Sequence, residues 1–475
     1  MVRTRRWLVV VAVPVVAGLL PGPAVGAGVP AAPGAHAGLW RGGRAVALRD
    51  APDAPIPSFS RQTRLPCTAC HTTFPQLTAF GRLFKLNGYT LTGIEQIRSQ
   101  LDTSQAPVLA LDLIPPVSVM AEAAVSHVSE APAGTQNDQV DFPQQLSLFI
   151  GEAITPKLGT FLQFTYTAAD GALGWDNADI RFANHTTFAS QPLIFGITLN
   201  NNPTVQDVWN TVPAWGFPFA SSSVVPTPAA ATMVDGGLGQ RVAGLGAYGF
   251  WNNLLYAELS VYRSAPQGGP HPADSTSTST IRGVAPYWRV ALNRQSGAQS
   301  FEVGTYGMQV KQYPEGVAGP TDRFRDIAFD AQYQVESGPT LVALHGTWIG
   351  ESQTLDATAG AGGADNVVDH LRTLRADGSL FWPQRRLGAT LGFFTTSGDA
   401  DAGLYPAAAV SGSGTGSPNS TGLIGQFDFN PWLNTRFSAQ YVWYGKFNGA
   451  STNYDGSGRN ASANNTLYLV AWLVF

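Results

Sequence analysis

The chain has 475 residues, of which 44% are hydrophobic and only 13% carry a charge, and its formal net charge is -4. This charged fraction is about half that of an ordinary soluble domain, which argues against a conventional water-soluble globule. After the N-terminus no apolar stretch approaches the roughly 18 residues of a membrane-spanning helix, so a helical membrane bundle is excluded, and a β-barrel becomes the expected membrane class.

The N-terminus has the parts of an export signal. Within residues 1–27, arginines precede an apolar run that begins at Trp7, and small residues follow near Ala27. This pattern predicts a cleaved signal peptide and a protein that leaves the cytoplasm. Residues 28–56 are rich in alanine, glycine and proline and are expected to form a flexible linker.

Short segments with alternating apolar and polar residues recur through residues 105–475. Tight turns and longer connections alternate between them, and the longest connection is 201–240. Outer-membrane barrels have short periplasmic turns and long outer loops, so we predict an all-β, 16-stranded antiparallel transmembrane barrel. The predicted strands are 116–128, 143–154, 157–168, 177–188, 191–200, 241–251, 253–263, 284–294, 299–312, 326–337, 340–351, 369–382, 386–397, 421–430, 435–446 and 465–475.

Alternation with a period of two assigns the two faces of each predicted strand. Ile327 and Phe329 are expected to face lipid, and Asp326 and Asp330 to face the lumen. The last segment alternates up to Phe475, as the closing strand of an outer-membrane barrel does. The alternative is a soluble β-sandwich, in which the same alternation would separate a core from water.

The strongest chemical motif is Cys67-Thr68-Ala69-Cys70-His71, which contains both cysteines of the chain. Two cysteines at this spacing can form thioethers with both vinyl groups of one porphyrin, and the adjacent histidine can bind the iron. Cys67, Cys70 and His71 therefore predict one covalently bound haem c. The alternatives are a disulfide, a thioredoxin-like redox pair and half of a zinc site, but the sequence contains neither a βαβ context nor a second ligand pair.

The motif lies in a short basic segment, 57–104, which we expect to sit partly helical in or under the barrel lumen. Arg61 and Arg82 are candidates for binding the haem propionates, and they can equally dock the segment against an acidic lumen. Residues 72–89 are expected to include a short helix that covers a haem face. Gly81 would allow that helix a close approach.

The second axial ligand of the iron has to come from the barrel or be absent, because no histidine or methionine lies between His71 and Met120. Alternation in the first strand places Met120 in the lumen beside Glu122, which makes Met120 the first candidate. His185 is the second candidate, since it shares the predicted lumen face with Asp179. A methionine–histidine pair would raise the reduction potential, which suits electrons from iron.

The tract Phe59–Tyr89, together with the predicted barrel, resembles the fused monohaem cytochrome–porins of the outer membrane, whose best-known members are iron oxidases. A second tract, Asn200–Asn210 followed by Pro213–Pro218, is similar to a motif of some relatives. The resemblance implies an electron-transfer protein or Fe(II) oxidase of a Gram-negative outer membrane. It would take electrons from extracellular Fe(II) at one haem and pass them to a periplasmic cytochrome or another carrier.

Two alternatives keep the same fold. The haem could exchange electrons with another extracellular donor or acceptor, or the chain could be a porin whose haem plug is structural or sensory. The predicted outer loops favour capture of small cations because they are rich in carboxylates. These include Asp207, Asp322, Asp369, Asp401 and Asp455. Nothing in the sequence supports nucleic-acid binding or hydrolytic chemistry.

Overall fold

The computed structural model describes residues 57–91, 116–167, 171–264, 280–383, 385–432 and 434–475. The predicted signal peptide and the linker lie outside the described residues, as do the end of the haem segment and residues 105–115. Within the described ranges, no helix has the length and apolar character to cross a membrane.

Sixteen consecutive strands pair antiparallel in sequence order, and the last pairs with the first. They are β3 (Val117–Val128), β4 (Gln139–Thr155), β5 (Leu158–Thr167), β6 (Ala172–Phe188), β7 (Gln191–Asn200), β8 (Val242–Trp251), β9 (Leu255–Ser264), β10 (Ala285–Ser296), β11 (Gln299–Gln312), β12 (Asp322–Ser337), β13 (Thr340–Thr354), β14 (Val368–Trp382), β15 (Leu387–Gly398), β16 (Ser420–Trp432), β17 (Thr435–Lys446) and β18 (Thr466–Val474). Closure between β18 and β3 sets Leu469 opposite Val125. The predicted barrel is confirmed, and the soluble β-sandwich is excluded.

The predicted tight turns, from the one between β4 and β5 to the one between β16 and β17, all lie at one end of the barrel, here called the short-turn end. The opposite, long-loop end carries most of the longer connections. Four strands extend several residues further toward the long-loop end than predicted: three begin at Gln139, Ala172 and Asp322, and β13 ends at Thr354. At the start of β12 the added pairs are formed by polar residues, such as Asp322 opposite Gln312, whereas the added residues of β4 and β6 include the exposed Val140 and Leu173.

The two faces of the strands differ as predicted. Ile327 and Phe329 are 46% and 55% exposed on the outside, whereas Asp326 and Asp330 are buried in the lumen. The same division holds around the barrel, because exposed apolar side chains lie on the outer face of nearly every strand. The barrel therefore has an apolar exterior and a polar interior.

The longest connection corrects the prediction of outer loops at 201–240. Residues 201–241, here called the inner segment, fold into the lumen between β7 and β8, with Val205, Trp209 and Val212 almost completely buried. The Trp209 ring packs edge-on against Tyr256 of β9, with 5.4 Å between centroids. Burial of these apolar side chains against the inner wall explains why the segment turns inward. It contains short helical turns at Pro213–Trp215 and Met233–Gly237.

Residues 57–91, here called the plug segment, precede the barrel. Their elements are α1 (Ser58–Thr63), α2 (Cys67–Cys70), the hairpin β1 (His71–Thr73) and β2 (Gln76–Leu77), and α3 (Ala79–Leu86). The hydroxyl of Thr78 caps α3 by accepting a hydrogen bond from the Gly81 amide at 3.1 Å. Outside the plug segment, the remaining short helices are α4 (Asp356–Gly360) and a turn at Ala461–Asn464.

Candidate functional site

The two cysteines of the motif lie at the ends of the single-turn helix α2, and both are free thiols. Cys67 is buried, with its Sγ 3.7 Å from the Ser60 hydroxyl oxygen, and Cys70 is half-buried. Burial raises the pKa of both thiols, that of Cys70 to about 12 with a further contribution from Cys67. Both side chains are therefore protonated thiols at neutral pH.

His71 follows directly as the first residue of β1. Burial lowers the pKa of His71 to about 4, so its imidazole is neutral at pH 7 and has a free lone pair. Its Nδ1 atom is buried without a hydrogen-bond partner among the described residues. The ring lies 4.3 Å from that of Phe74, and Phe74 lies 5.0 Å from Trp472 of β18. A neutral imidazole with an unpartnered Nδ1 atom, beside two free thiols, fits the donor set that a haem c requires.

The helix that follows the motif packs directly on it. The Thr78 amide donates to the Cys70 carbonyl oxygen at 2.9 Å, and the Thr78 hydroxyl donates to the Ala69 carbonyl oxygen at 2.6 Å. A Cβ atom at Gly81 would lie 2.1 Å from the Cys70 carbonyl oxygen. The close approach predicted for Gly81 is thus present, and its partner is the backbone of the motif itself.

Two arginines of the barrel hold the motif from the short-turn end. Arg385, in the turn after β14, donates from Nη1 to the carbonyl oxygens of Thr68 and His71, both at 3.2 Å, and from Nη2 to Glu336 at 3.1 Å. Arg436 of β17 donates to the Phe74 carbonyl oxygen at 2.9 Å. Sequence reasoning missed both residues, because an arginine beside a tight turn carries no signal of what it will contact.

Arg61 and Arg82, the propionate candidates, dock the plug segment against the barrel. Arg61 donates to the Val117 carbonyl oxygen at the start of β3. Arg82 is buried and donates to the side-chain oxygens of Gln332 and Gln334 at 2.8 and 2.6 Å. Burial lowers the pKa of Arg82 to about 10, which leaves it a cation at neutral pH. These contacts dock the plug segment through neutral acceptors and not through lumen carboxylates, and propionate binding stays a prediction.

The two distal-ligand candidates lie in different surroundings. Met120 lies on the lumen side of β3, where it packs against the buried cluster that contains Trp472 and that Phe74 also touches. His185 has the same strand parity as the buried Arg181, but it is exposed near the tight turn after β6. Of the two candidates, only Met120 thus shares a cluster with Phe74, the aromatic ring that packs beside His71.

The plug segment and the inner segment meet inside the lumen. The Lys85 ammonium of α3 donates to the carbonyl oxygens of Val205 and Asp207 at 2.7 and 2.8 Å and lies 4.7 Å from the Trp215 ring centroid. The Leu77 amide donates to the Asn210 side-chain oxygen at 3.1 Å. Residues that enter from opposite ends of the barrel are therefore fastened to each other.

A buried charge cluster fastens the inner segment to the wall. Arg289 of β10 is 1% exposed, and its Nη2 atom lies 3.3 Å from Asp207, 3.2 Å from Glu302 and 2.6 Å from Asp330. Asp207 belongs to the inner segment, whereas the two other carboxylates belong to β11 and β12. One guanidinium thus contacts carboxylates from three elements.

Lys85 makes the stability of the folded chain depend on pH. Burial, and secondarily the charge of Arg181, lowers its pKa from 10.5 to about 7. Between these values the unfolded chain holds a proton that the folded chain lacks, so stability rises with pH across this window. Between pH 7 and about 8.5, below the range in which unfolded thiols ionise, we expect the urea midpoint of unfolding to rise, and Lys85→Met to reduce this rise. The exposed Lys157→Met serves as the control, and an equal rise in all three proteins would contradict this role of Lys85.

The predicted acidic exterior is smaller than the sequence suggested. Asp207 lies in the lumen, and four other expected loop carboxylates are buried, of which three accept backbone hydrogen bonds that order the loops. Asp401 accepts from the amides of Asp365, Asn366 and Leu404, and these donors hold its pKa below the ordinary value despite burial. Within the part of the chain that the structure describes, no three His, Cys, Asp or Glu side chains cluster so as to hold a metal ion. The buried carboxylates are Asp322, Asp369, Asp401 and Asp455.

No protein-family model matches the chain, and no curated protein matches it. Solved structures similar to the chain include an anion-selective porin from Comamonas acidovorans, with 14% identity over 76% of this chain and 98% of that one and a TM-score of 0.45. The outer-membrane channel DcaP of Acinetobacter baumannii has 13% identity over 76% and 96% of the two chains, with a TM-score of 0.43. A loop-deletion mutant of OmpT from Vibrio cholerae has 9% identity over 76% and 98%, with a TM-score of 0.42.

Proposed function

We propose that this chain is an outer-membrane electron-transfer protein that carries one haem c on Cys67, Cys70 and His71. Extracellular Fe(II) is the proposed electron donor, and a periplasmic cytochrome or another carrier is the proposed acceptor. One observation carries the proposal: two free thiols and an imidazole whose Nδ1 atom has no partner among the described residues lie together at the short-turn end of a closed barrel, where Arg385 fixes the backbone that carries them.

The membrane location is supported by the outer surface of the barrel. Large apolar side chains are exposed on strands from all parts of the circumference, among them Leu391 at 64%, Leu259 at 62% and Ile197 at 51%. Water-soluble monomers rarely expose a continuous apolar surface on this scale. A closed barrel also pairs its backbone groups between strands, as a lipid environment demands.

A bound haem c would supply a reversible one-electron couple. Cys67 and Cys70 would hold it covalently, and His71 would bind its iron through a neutral imidazole. Arg385 and Arg436 fix the backbone that carries these side chains. Phe74 packs beside His71, with Trp472 packed against Phe74 in turn, and excludes water from that side of the imidazole ring.

The position of the plug segment determines how closely the electron acceptor and the electron donor can approach the haem motif. The motif contacts residues of the short-turn end, so a carrier there can approach it closely. From the long-loop end the inner segment crosses the lumen, with Thr211 bonded to Asp330 of β12 and Ser222 bonded to Ser126 of β3. This filling supports electron transfer over a wide solute channel, and it requires an extracellular donor to deliver its electron through the filled lumen.

Covalent haem is tested by producing the chain in a bacterium that matures c-type cytochromes. We expect haem to remain on the protein in a denaturing gel and to be absent from the double variant Cys67→Ser/Cys70→Ser. Ser60→Ala, which alters only a neighbour of Cys67, is the control and should keep its haem. Wild-type barrel without covalent haem would overturn the proposal.

The donor is tested separately on the purified haem protein. Excess Fe(II) is expected to convert the oxidised absorption spectrum to the reduced one. If dithionite reduces the haem but Fe(II) leaves it oxidised, the protein can still be an electron carrier, but the proposal that Fe(II) is its donor is wrong. Solute flux through reconstituted protein would instead support the porin alternative.

Met120 is the proposed distal ligand. We expect Met120→Leu, which preserves the side-chain volume, to remove any methionine-to-iron charge-transfer band and to lower the reduction potential, because methionine ligation raises it. His185→Ala should leave both unchanged, since His185 is exposed near the end of β6. An unaltered spectrum in Met120→Leu would reject Met120 as the ligand.

A further inference from the structure

A group of exposed basic side chains lies on the outside of the barrel at the long-loop end of β9 to β14. On β12, Arg323 and Arg325 continue the outward row of Phe329 and Ile327. On β9, Arg263 continues the outward row of Leu259 and Val261. The group, here called the cationic patch, consists of Arg263, Arg282, Lys311, Arg323, Arg325 and Arg372.

The members of the patch are close neighbours with the same charge. Lys311 of β11 is directly opposite Arg323 of β12, and the backbone amide of Arg282 donates to the Lys311 carbonyl oxygen at 2.8 Å. Like charges directly opposite each other destabilise a strand pair. A row of cations at this spacing therefore favours the binding of an anion between them.

No described carboxylate supplies that anion. Within the described ranges, none of the six basic side chains forms an ion pair. Arg323 donates instead to the Thr354 hydroxyl at 3.2 Å. The acidic side chains of the same strands, among them Glu258, Asp326 and Glu351, are buried toward the lumen. The two faces of this side of the barrel thus carry opposite charge.

The six cations of the patch lie on one side of the barrel. On the other side, residues that face outward near the long-loop end include Val140, which is 70% exposed, and Leu173, which is 69% exposed. The cations also begin where the apolar rows of β9 and β12 end. In a membrane this is the level at which lipid phosphates lie.

We propose that the cationic patch binds a lipid that carries more than one phosphate, in the membrane leaflet at the long-loop end. Arginine binds phosphate oxygens through two parallel hydrogen bonds, and lysine adds a point charge. The acyl chains of such a lipid would lie along the apolar rows below Arg325 and Arg263. The proposal rests on the membrane location proposed above and is independent of the haem.

The probe is bisphosphorylated lipid A, added to the purified full-length protein in a nonionic detergent and followed by native mass spectrometry. We expect the triple variant Lys311→Gln/Arg323→Gln/Arg325→Gln to bind it about a hundredfold more weakly, given the usual contribution of each basic residue near a membrane surface. The matched control is Lys157→Gln/Arg294→Gln/Arg386→Gln, which removes three exposed cations at the short-turn end and should bind as wild type does.

Equal binding by the patch variant and wild type would overturn the proposal, as would an equal loss in the control. Release of the lipid by excess inorganic phosphate would assign the patch to free anions instead. Recovery of the protein outside the membrane fraction would overturn the membrane location itself.

Thermal stability gives a second readout that does not depend on detecting the lipid. In lipid-free detergent, Lys311→Gln is expected to raise the melting midpoint, because it removes one of two opposed charges. With lipid A present the order should reverse, since the variant loses a phosphate contact. A variant that is less stable than wild type in both conditions would contradict the unfavourable pairing on which the proposal depends.

Discussion

Replacing Gly81 with alanine is expected to separate α3 from α2 and to prevent the haem motif from docking in the barrel. A Cβ at this position would lie 2.1 Å from the Cys70 carbonyl oxygen and 2.9 Å from its carbonyl carbon. Because both are backbone atoms, no side-chain rotation relieves the contact. Separation would also break the bond from the Thr78 amide to the Cys70 carbonyl.

Two opposing effects decide whether Gly81→Ala favours or disfavours docking of the plug segment. Alanine is favoured over glycine in a helix interior by about 1 kcal/mol. Overpacking costs about 1–3 kcal/mol even where side chains can adjust, and here the clash lies between backbones. A net loss of one or two kcal/mol would shift the docking equilibrium about 5–30-fold toward the undocked plug.

The measurement is haem absorbance per barrel together with the rate of trypsin cleavage after the exposed Arg64. Gly81→Ala should lower the first and raise the second. Gly360→Ala is the matched control, because Gly360 also lies in a helix but a Cβ there would meet nothing within 4 Å. Wild-type haem content and cleavage in Gly81→Ala would show that α2 and α3 can move apart without consequence.

The barrel could be predicted because its signal is local and repeated. Each strand needs apolar residues on one face and polar residues on the other. Alternation therefore predicts both a strand and its outward face, as it does for Asp326, Ile327, Phe329 and Asp330. The haem motif was equally local, since its chemistry depends on a fixed spacing within five residues. Gly81 could be singled out because only glycine permits such an approach.

The inner segment could not be predicted, because its partners are distant in sequence. Val205, Val208 and Trp209 are apolar residues close together in a long connection, which indicates that they are buried but not what they pack against. Their positions depend on contacts such as Trp209 with Tyr256. The contact of Arg436 could not be predicted for the same reason, since its partner Phe74 lies 362 positions away. Pairings of this kind become visible only when the closed barrel brings the elements together.

Arg289→Met is expected to cause the largest loss of stability of any single substitution proposed for the barrel wall. The substitution keeps an apolar chain of similar length but removes the cation that lies against Asp207, Glu302 and Asp330. Removing one partner of a buried ion pair costs about 3–5 kcal/mol, because the remaining charges are left uncompensated. Here three buried carboxylates would lose the same partner.

The geometry indicates that Arg289 stabilises the barrel mainly through its charge and not through the number of its hydrogen bonds. All three close contacts are to Nη2, whereas the buried Nε and Nη1 atoms of Arg289 have no partner among the described residues. A double variant, Arg289→Met/Asp330→Asn, should therefore be more stable than Arg289→Met alone, since it removes one of the uncompensated charges. The two substitutions are expected to be non-additive for this reason.

Two measurements test this role of Arg289: the free energy of unfolding in urea and the conductance of the reconstituted barrel. Asp207 ties the inner segment to the wall through Arg289, so Arg289→Met should both destabilise the barrel and raise its conductance as the segment leaves the lumen. Arg386→Met, at an exposed site of the short-turn end, should change neither by more than a surface substitution does. If Arg289→Met matches wild type in both, the carboxylates are neutralised by another cation, and the inner segment is held in the lumen by its apolar side chains alone.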